Sequence, residues 1–280
     1  MMNQIKRIIA MALACATLFC TAAASYSQQN DLDPNENDAT VGTYENRLVS
    51  DETAAKSDEE ILTEILADPS VSDETKNQLL LKEELYQEAL NALESGNASR
   101  RATNYFVDVD PIMQDDDTKC GPATIQMVLK HKNIDYDTQS RIQKAISYQG
   151  STDLELIMNY LNERQNNHYA RKTYANETQL LAFFDVAAQL DLPVIHTAKA
   201  TQTNVKNGVW PYRTNGHFFI LCGRNSRRKY VVSDPFYYPE YVSDVDEEGR
   251  HYHIFDDLFT VSTNYGKTDG SGNLVGYIGY

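Results

Sequence analysis

Basic side chains are scarce in this chain: 280 residues hold 25 Lys and Arg against 40 Asp and Glu, a formal charge of −15 at pH 7. So acidic a protein does not suit a polyanion, which removes nucleic acid from the expected partners. Cysteine is scarcer still. Of the four, Cys15 and Cys20 lie in an N-terminal apolar run, leaving Cys120 and Cys222 in the rest of the chain. Two cysteines are too few for a disulfide framework, so a hydrophobic core must carry the fold. They could pair with each other or remain free, and composition leaves both open.

Long apolar runs are also missing, with one exception. Lys6 and Arg7 precede an apolar stretch from Ile8 to Thr21, and Ala22, Ala23, Ala24 and Ser25 follow. This is the order of a secretory signal peptide, and the stretch is shorter than the roughly 20 residues of a spanning helix. Residues 1–27 are expected to be a removable leader, and the mature chain to be secreted or held at the cell surface with no stable membrane span.

The acidic surplus is uneven. Residues 28–100 hold 18 acidic and 5 basic side chains, whereas residues 101–280 hold 22 and 18. Residues 28–56 have few large apolar side chains and read as a flexible acidic segment. Ser57 and Glu60 then make a capping-box spacing, and Leu85, Tyr86, Ala89, Leu90 and Leu93 recur at helical intervals. Residues 57–100 are therefore expected to be a helical hairpin serving as a pro-segment, a spacer or a docking element. Residues 101–280 are expected to fold separately, with Arg100 and Arg101 as a processing point.

In that C-terminal part, residues 105–109 read as a short strand closed by Pro111. Cys120, Gly121 and Pro122 open a helix, because proline suits the first turn and Ile125, Val128 and Leu129 follow on one face. Thr152 and Glu155 have capping-box spacing ahead of another helix, and residues 177–190 form a third. Later segments, 193–197, 218–222 and 230–233, are rich in β-branched and aromatic residues and read as strands. Helices first and strands second make an α+β fold with an antiparallel sheet.

A cysteine at a helix N-terminus has its thiolate stabilised by unpaired N–H groups, so Cys120 is a candidate nucleophile. A small buried apolar residue is the bland alternative. His217 starts one predicted strand and Asp234 ends the next. If these strands are antiparallel, the pair become neighbours, and a base with a carboxylate to orient it results. Gln114, six residues before Cys120, could offer an amide donor to an oxyanion beside the Cys120 N–H.

These pieces in order, Val-Asp-Val-Asp-Pro-Ile-Met-Gln (107–114), Cys-Gly-Pro-Ala-Thr (120–124), Gly-His-Phe-Phe-Ile-Leu (216–221) and Val-Val-Ser-Asp-Pro (231–235), resemble the papain-like cysteine peptidases of the double-glycine, bacteriocin-processing type and their secreted relatives. The resemblance implies a papain-like fold and an enzyme acting on a peptide or protein substrate. It also implies Cys120 as nucleophile, His217 as base, Asp234 as its orienting partner and Gln114 in the oxyanion hole.

Asp115, Asp116 and Asp117 lie between Gln114 and Cys120. They must face solvent at least in part and are candidates to steer basic substrates. Trp210, in the long connection 199–215, is a candidate for a substrate-side or surface loop. His251 and His253 share one strand face, but no Cys, Asp or Glu set of zinc-site spacing accompanies them, so no metal or other cofactor is expected. Cys222 differs from His217 by an odd number of positions and should point to the opposite sheet face. The residues point to thiol acyl transfer, with hydrolysis of a peptide or amide as its default outcome. A non-catalytic papain-like binding domain is the alternative.

Overall fold

Ser57 opens the chain of helices by accepting the Glu60 N–H at 3.2 Å, while the Glu60 carboxylate accepts the Ser57 N–H at 2.8 Å. This reciprocal cap starts α1 (Asp58–Ala67), and Ser72 caps α2 (Asp73–Glu94). The computed structural model describes residues 57–95 and 105–265, apart from 149–150, 153, 166–167, 170–171, 173, 175, 226, 228 and 238–247. The expected leader, the acidic segment and Arg100–Arg101 lie outside the described residues. Those described all belong to the unit from Thr40 to Tyr280.

The apolar stripe of α2 is covered. Tyr86 is buried and meets Phe183 edge-on at 6.3 Å, with Leu85, Ala89, Leu90 and Leu93 packed around the same cluster. Lys82 is buried and donates to the His168 carbonyl at 3.0 Å, and Lys172 pairs with Glu83 at 2.7 Å. The change of charge near residue 100 is therefore not a boundary of packing.

Beyond it come α3 (Cys120–His131), α4 (Gln139–Ile146), a two-residue pair β1 (Ser147–Tyr148) and β2 (Ser151–Thr152), α5 (Leu154–Asn162) and α6 (Glu177–Gln189). Then follow β3 (Val194–Ala200), α7 (Gln202–Lys206), β4 (Thr214–Arg224), β5 (Tyr230–Ser233), β6 (Arg250–His253) and α8 (Phe255–Tyr265). Thr152 lies in β2 and packs against the start of α3, where its methyl would be 2.7 Å from any Cβ at Gly121. The strand expected over 105–109 is reduced to one bridge, Phe106 to Gly223. Gly223 has φ +91, and a Cβ there would lie 2.3 Å from the Tyr105 carbonyl oxygen, so a side chain would push this segment off β4.

The four long strands form an antiparallel sheet in the order β3-β4-β5-β6. Alternation along β4 sorts the core into two layers. Phe218, Ile220 and Cys222 join Val231 and Ile195 against α3, α4 and α5. Phe219 and Leu221 join Val232 and Val194 against α6, α8 and α2. Cys222 thus packs in the first layer, while the His217 ring contacts Tyr212 and Phe236 of the second. Every residue of α3 from Cys120 to Leu129 is buried, so the helix that starts at Cys120 is clamped on all sides.

Candidate active site

Cys120 is the first residue of α3 and is 4% exposed. Lys119 precedes it as N-cap and makes no side-chain hydrogen bond to the N–H groups of this helix end. Its ammonium instead bridges Asp116 at 2.7 Å and Asp115 at 3.7 Å. Cys120 and Cys222 are both free thiols. Burial pushes Cys222 up to about 12, which marks it as a packing residue with no ready thiolate.

β4 and β5 run antiparallel with Ile220 opposite Ser233, and this register carries the start of β4 beside the end of β5. His217 Nε2 donates to Asp234 Oδ1 at 2.7 Å, with both residues fully buried. The Nδ1 edge is buried and makes no hydrogen bond to another protein atom among the described residues, and the Cys120 side chain acts on the charge of the same ring. Burial opposes charge on this ring, but the Asp234 carboxylate and then the Cys120 sulfur raise it to about 10. For Asp234, burial would raise the carboxyl. The charges and hydrogen bonds of His217, then of His251, instead hold it well below the usual carboxylate range.

Asp234 is more heavily held than a simple pair requires. Its Oδ1 also accepts the Phe236 N–H at 2.8 Å, and Oδ2 accepts the Tyr212 hydroxyl at 2.5 Å and His251 Nε2 at 2.8 Å. Its own N–H donates to the Gly249 carbonyl. Burial and then the neighbouring carboxylate push the Tyr212 hydroxyl well above its ordinary range, so it remains a donor. His251 Nδ1 in turn meets His253 Nε2. Tyr212, His251 and His253 were not expected at this site. The alternation of β6 does put both histidines on the buried face, with Tyr252 exposed between them. Among the described residues no cluster of His, Cys, Asp or Glu could hold a metal ion.

Gln114 is 1% exposed. Its N–H donates to the Pro235 carbonyl at 2.9 Å and its Nε2 to the Asp116 carbonyl at 2.7 Å. Gln139, on a helix the sequence did not reveal, clamps the same loop: its Oε1 accepts the Asp115 N–H at 2.8 Å and its Nε2 donates to the Met113 carbonyl at 2.8 Å. Asp115, Asp116 and Asp117 are exposed, and Lys119 partly offsets the first two. Trp210 corrects its expectation. It is 1% exposed, stacks on His253 at 4.8 Å and meets His251 edge-on at 4.7 Å, so it belongs to the buried layer behind Asp234 and offers no surface to a substrate.

A cysteine at a buried helix start, together with a His–Asp pair on an antiparallel sheet, defines a papain-like α+β architecture. The family described as Peptidase_C39 like matches residues 106–255, and the chain belongs to that family. Among solved structures, the chain is similar to the peptidase domain of Streptococcus ComA, a bi-functional ABC transporter involved in a quorum-sensing pathway. Identity is 14%, coverage is 61% of this chain and 98% of that one, and the TM-score is 0.39. No curated protein matches. No described helix is long and apolar enough to cross a membrane.

Proposed function

We propose that this chain is an exported cysteine peptidase or amidohydrolase that cleaves a peptide or amide bond through Cys120, His217 and Asp234. The observation that carries this reading is the buried His217, fixed through Nε2 by Asp234, with its Nδ1 unbonded among the described residues and its charge favoured by the Cys120 side chain at a helix N-terminus. His217 takes the Cys120 proton, and the thiolate attacks the carbonyl carbon to form a tetrahedral oxyanion. The Cys120 N–H and the second hydrogen of Gln114 Nε2 are the proposed donors to that oxyanion. His217 then gives its proton to the leaving amine as the C–N bond breaks, leaving a thioester. Water, deprotonated by His217, attacks the thioester, and the acid leaves as Cys120 recovers its proton. General acid–base help of this kind contributes about 10²- to 10⁴-fold, and each oxyanion donor about 10²- to 10³-fold.

The order of residues 1–25, basic then apolar then small, supports export. The acceptor of the acyl group is water in this reading. The Asp115–Asp117 loop supports a preference for basic or amine-bearing substrates.

Incubation of the chain without residues 1–27 with a peptide library, read by mass spectrometry, tests the proposal. Product peptides and an acyl adduct on Cys120 are expected from the wild type and neither from Cys120→Ala. Cleavage that persists in Cys120→Ala, or a wild type that yields no product from any peptide, contradicts it.

A further inference from the structure

The loop that carries Gln114 is held on both of its edges. On one edge the Gln114 N–H donates to the Pro235 carbonyl at 2.9 Å. On the other, Gln139 Nε2 donates to the Met113 carbonyl and Gln139 Oε1 accepts the Asp115 N–H, each at 2.8 Å. Successive residues of an extended chain turn their polar groups to opposite edges, so this one primary amide serves residues 113 and 115 as a neighbouring strand would. Residue 114 is bracketed, and its side chain projects out of the plane of these bonds.

The clamp is anchored on the helix that begins at Cys120. The remaining hydrogen of Gln139 Nε2 goes to Gln126 Oε1 at 3.1 Å, and Gln126 Nε2 donates to the Asp137 carbonyl at 2.8 Å. Gln139 is the first residue of α4, Gln126 lies on α3, and both are buried. Reversing either amide would set donor against donor and acceptor against acceptor, so the chain of bonds runs in one direction only. A second tie reaches the same helix start: the Asp116 carbonyl accepts Gln114 Nε2 at 2.7 Å and the Lys119 N–H at 3.2 Å.

We infer that Gln139 and Gln126 are positioning residues for the oxyanion donor, which hold the Gln114 amide in register with the Cys120 end of α3. This role rests on the proposed function of Gln114. A donor stabilises an oxyanion only when it is already held where the charge develops. On an untethered loop the Gln114 side chain would sample many placements, and most of its effect on rate would be lost. Apolar side chains could fill the space between α3 and α4 without the cost of burying amides, so these two answer to the backbone groups on either side of Gln114.

Gln139→Met keeps the length of the side chain and removes its hydrogen bonds. With a peptide found in the library digest, kcat should fall about 10²-fold while KM changes by less than about threefold. Alkylation of Cys120 by iodoacetamide, which forms no oxyanion, should keep its rate. Added to Gln114→Ala, Gln139→Met should lower kcat no further, because the donor it positions is already gone. A fall in alkylation equal to that in kcat, or the same loss of kcat with Gln114 present and absent, indicates a merely structural clamp and overturns the inference. Gln114→Ala with an unchanged kcat overturns it too.

Amide hydrogen exchange of the wild-type chain judges the clamp without any variant. The Asp115 N–H should exchange at least about 10²-fold more slowly than an unprotected amide, although the residue itself is exposed. Exchange at the unprotected rate overturns the inference, and this holds even where Gln139→Met fails to fold. If the wild type cleaves no peptide, the proposed function fails, while exchange at Asp115 still judges the clamp.

Discussion

The N–H of Gln114 donates to the carbonyl of Pro235 at 2.9 Å, which ties the loop before the nucleophile helix to the turn that carries Asp234. The tether is main chain to main chain, so replacing the Gln114 side chain leaves it in place. Gln114→Ala should lower kcat by about 10²- to 10³-fold through loss of one oxyanion donor. Alkylation of Cys120, which needs no oxyanion, should keep its rate. An equal fall in both would show that Gln114 acts by holding the loop.

Asp234→Asn replaces a full acceptor with an amide that cannot serve His217, Tyr212 and His251 together. The expected loss in kcat/KM is on the order of 10³- to 10⁴-fold, since His217 loses both its orientation and its counter-charge. Tyr212→Phe removes one charge-assisted donor and should cost about 1.5–3 kcal/mol of stability. Chemical denaturation of both variants, with kinetics on any peptide the wild type cleaves, checks these outcomes.

Stability should depend on pH through the same pair. His217 is raised to about 10 in the folded chain, so its contribution is complete below its unfolded value, near 6.5, and is lost as pH rises toward 10. Asp234 is depressed, so its contribution is complete above its unfolded value, near 3.9, and is lost as pH falls further. Calorimetric Tm values should show a steeper alkaline decline in the wild type than in His217→Ala. Parallel profiles above neutrality would show that the folded chain does not favour the charged ring.

The α2 helix should be needed for the fold. Tyr86→Ala removes a buried ring that packs on Phe183 and should cost about 3–5 kcal/mol. A fragment of residues 101–280 should melt without cooperativity or aggregate, because it exposes the face of α6 that α2 covers. A fragment that melts like the full chain would show that α2 is dispensable.

Replacing Asp115, Asp116 and Asp117 by Asn should lower the preference for a Lys-containing over a Glu-containing peptide at low ionic strength. Lys119 already offsets two of the three, so the change should stay below about tenfold. An unchanged ratio would mean that the loop points its charge away from the substrate.

Much of the geometry of this site is legible in the sequence. Cys-Gly-Pro followed by a helical apolar stripe fixes a helix start at Cys120. Two β-rich runs separated by a short polar link fix an antiparallel pair, which is enough to bring His217 to Asp234. His251 was not legible as a partner of Asp234, because a four-residue strand takes its register only from β5. Tyr212 lies in a loop with no periodicity, so nothing local says where its hydroxyl points. The stripe on α2 announces a buried face but not what buries it, and a charge step near residue 100 suggested a boundary where packing is continuous. Trp210 was misplaced for a related reason: a long connection rich in polar residues conceals one ring that turns inward.

The most direct measurement is labelling of the chain lacking residues 1–27 by a peptidyl thiol-reactive probe, with the modified residue located by mass spectrometry. Cys120 should be labelled rapidly and Cys222 not at all, and His217→Ala should abolish the rapid phase while the variant remains folded. Labelling of Cys120 no faster than a free thiol, or at the same rate in His217→Ala, would contradict a Cys120–His217 nucleophile.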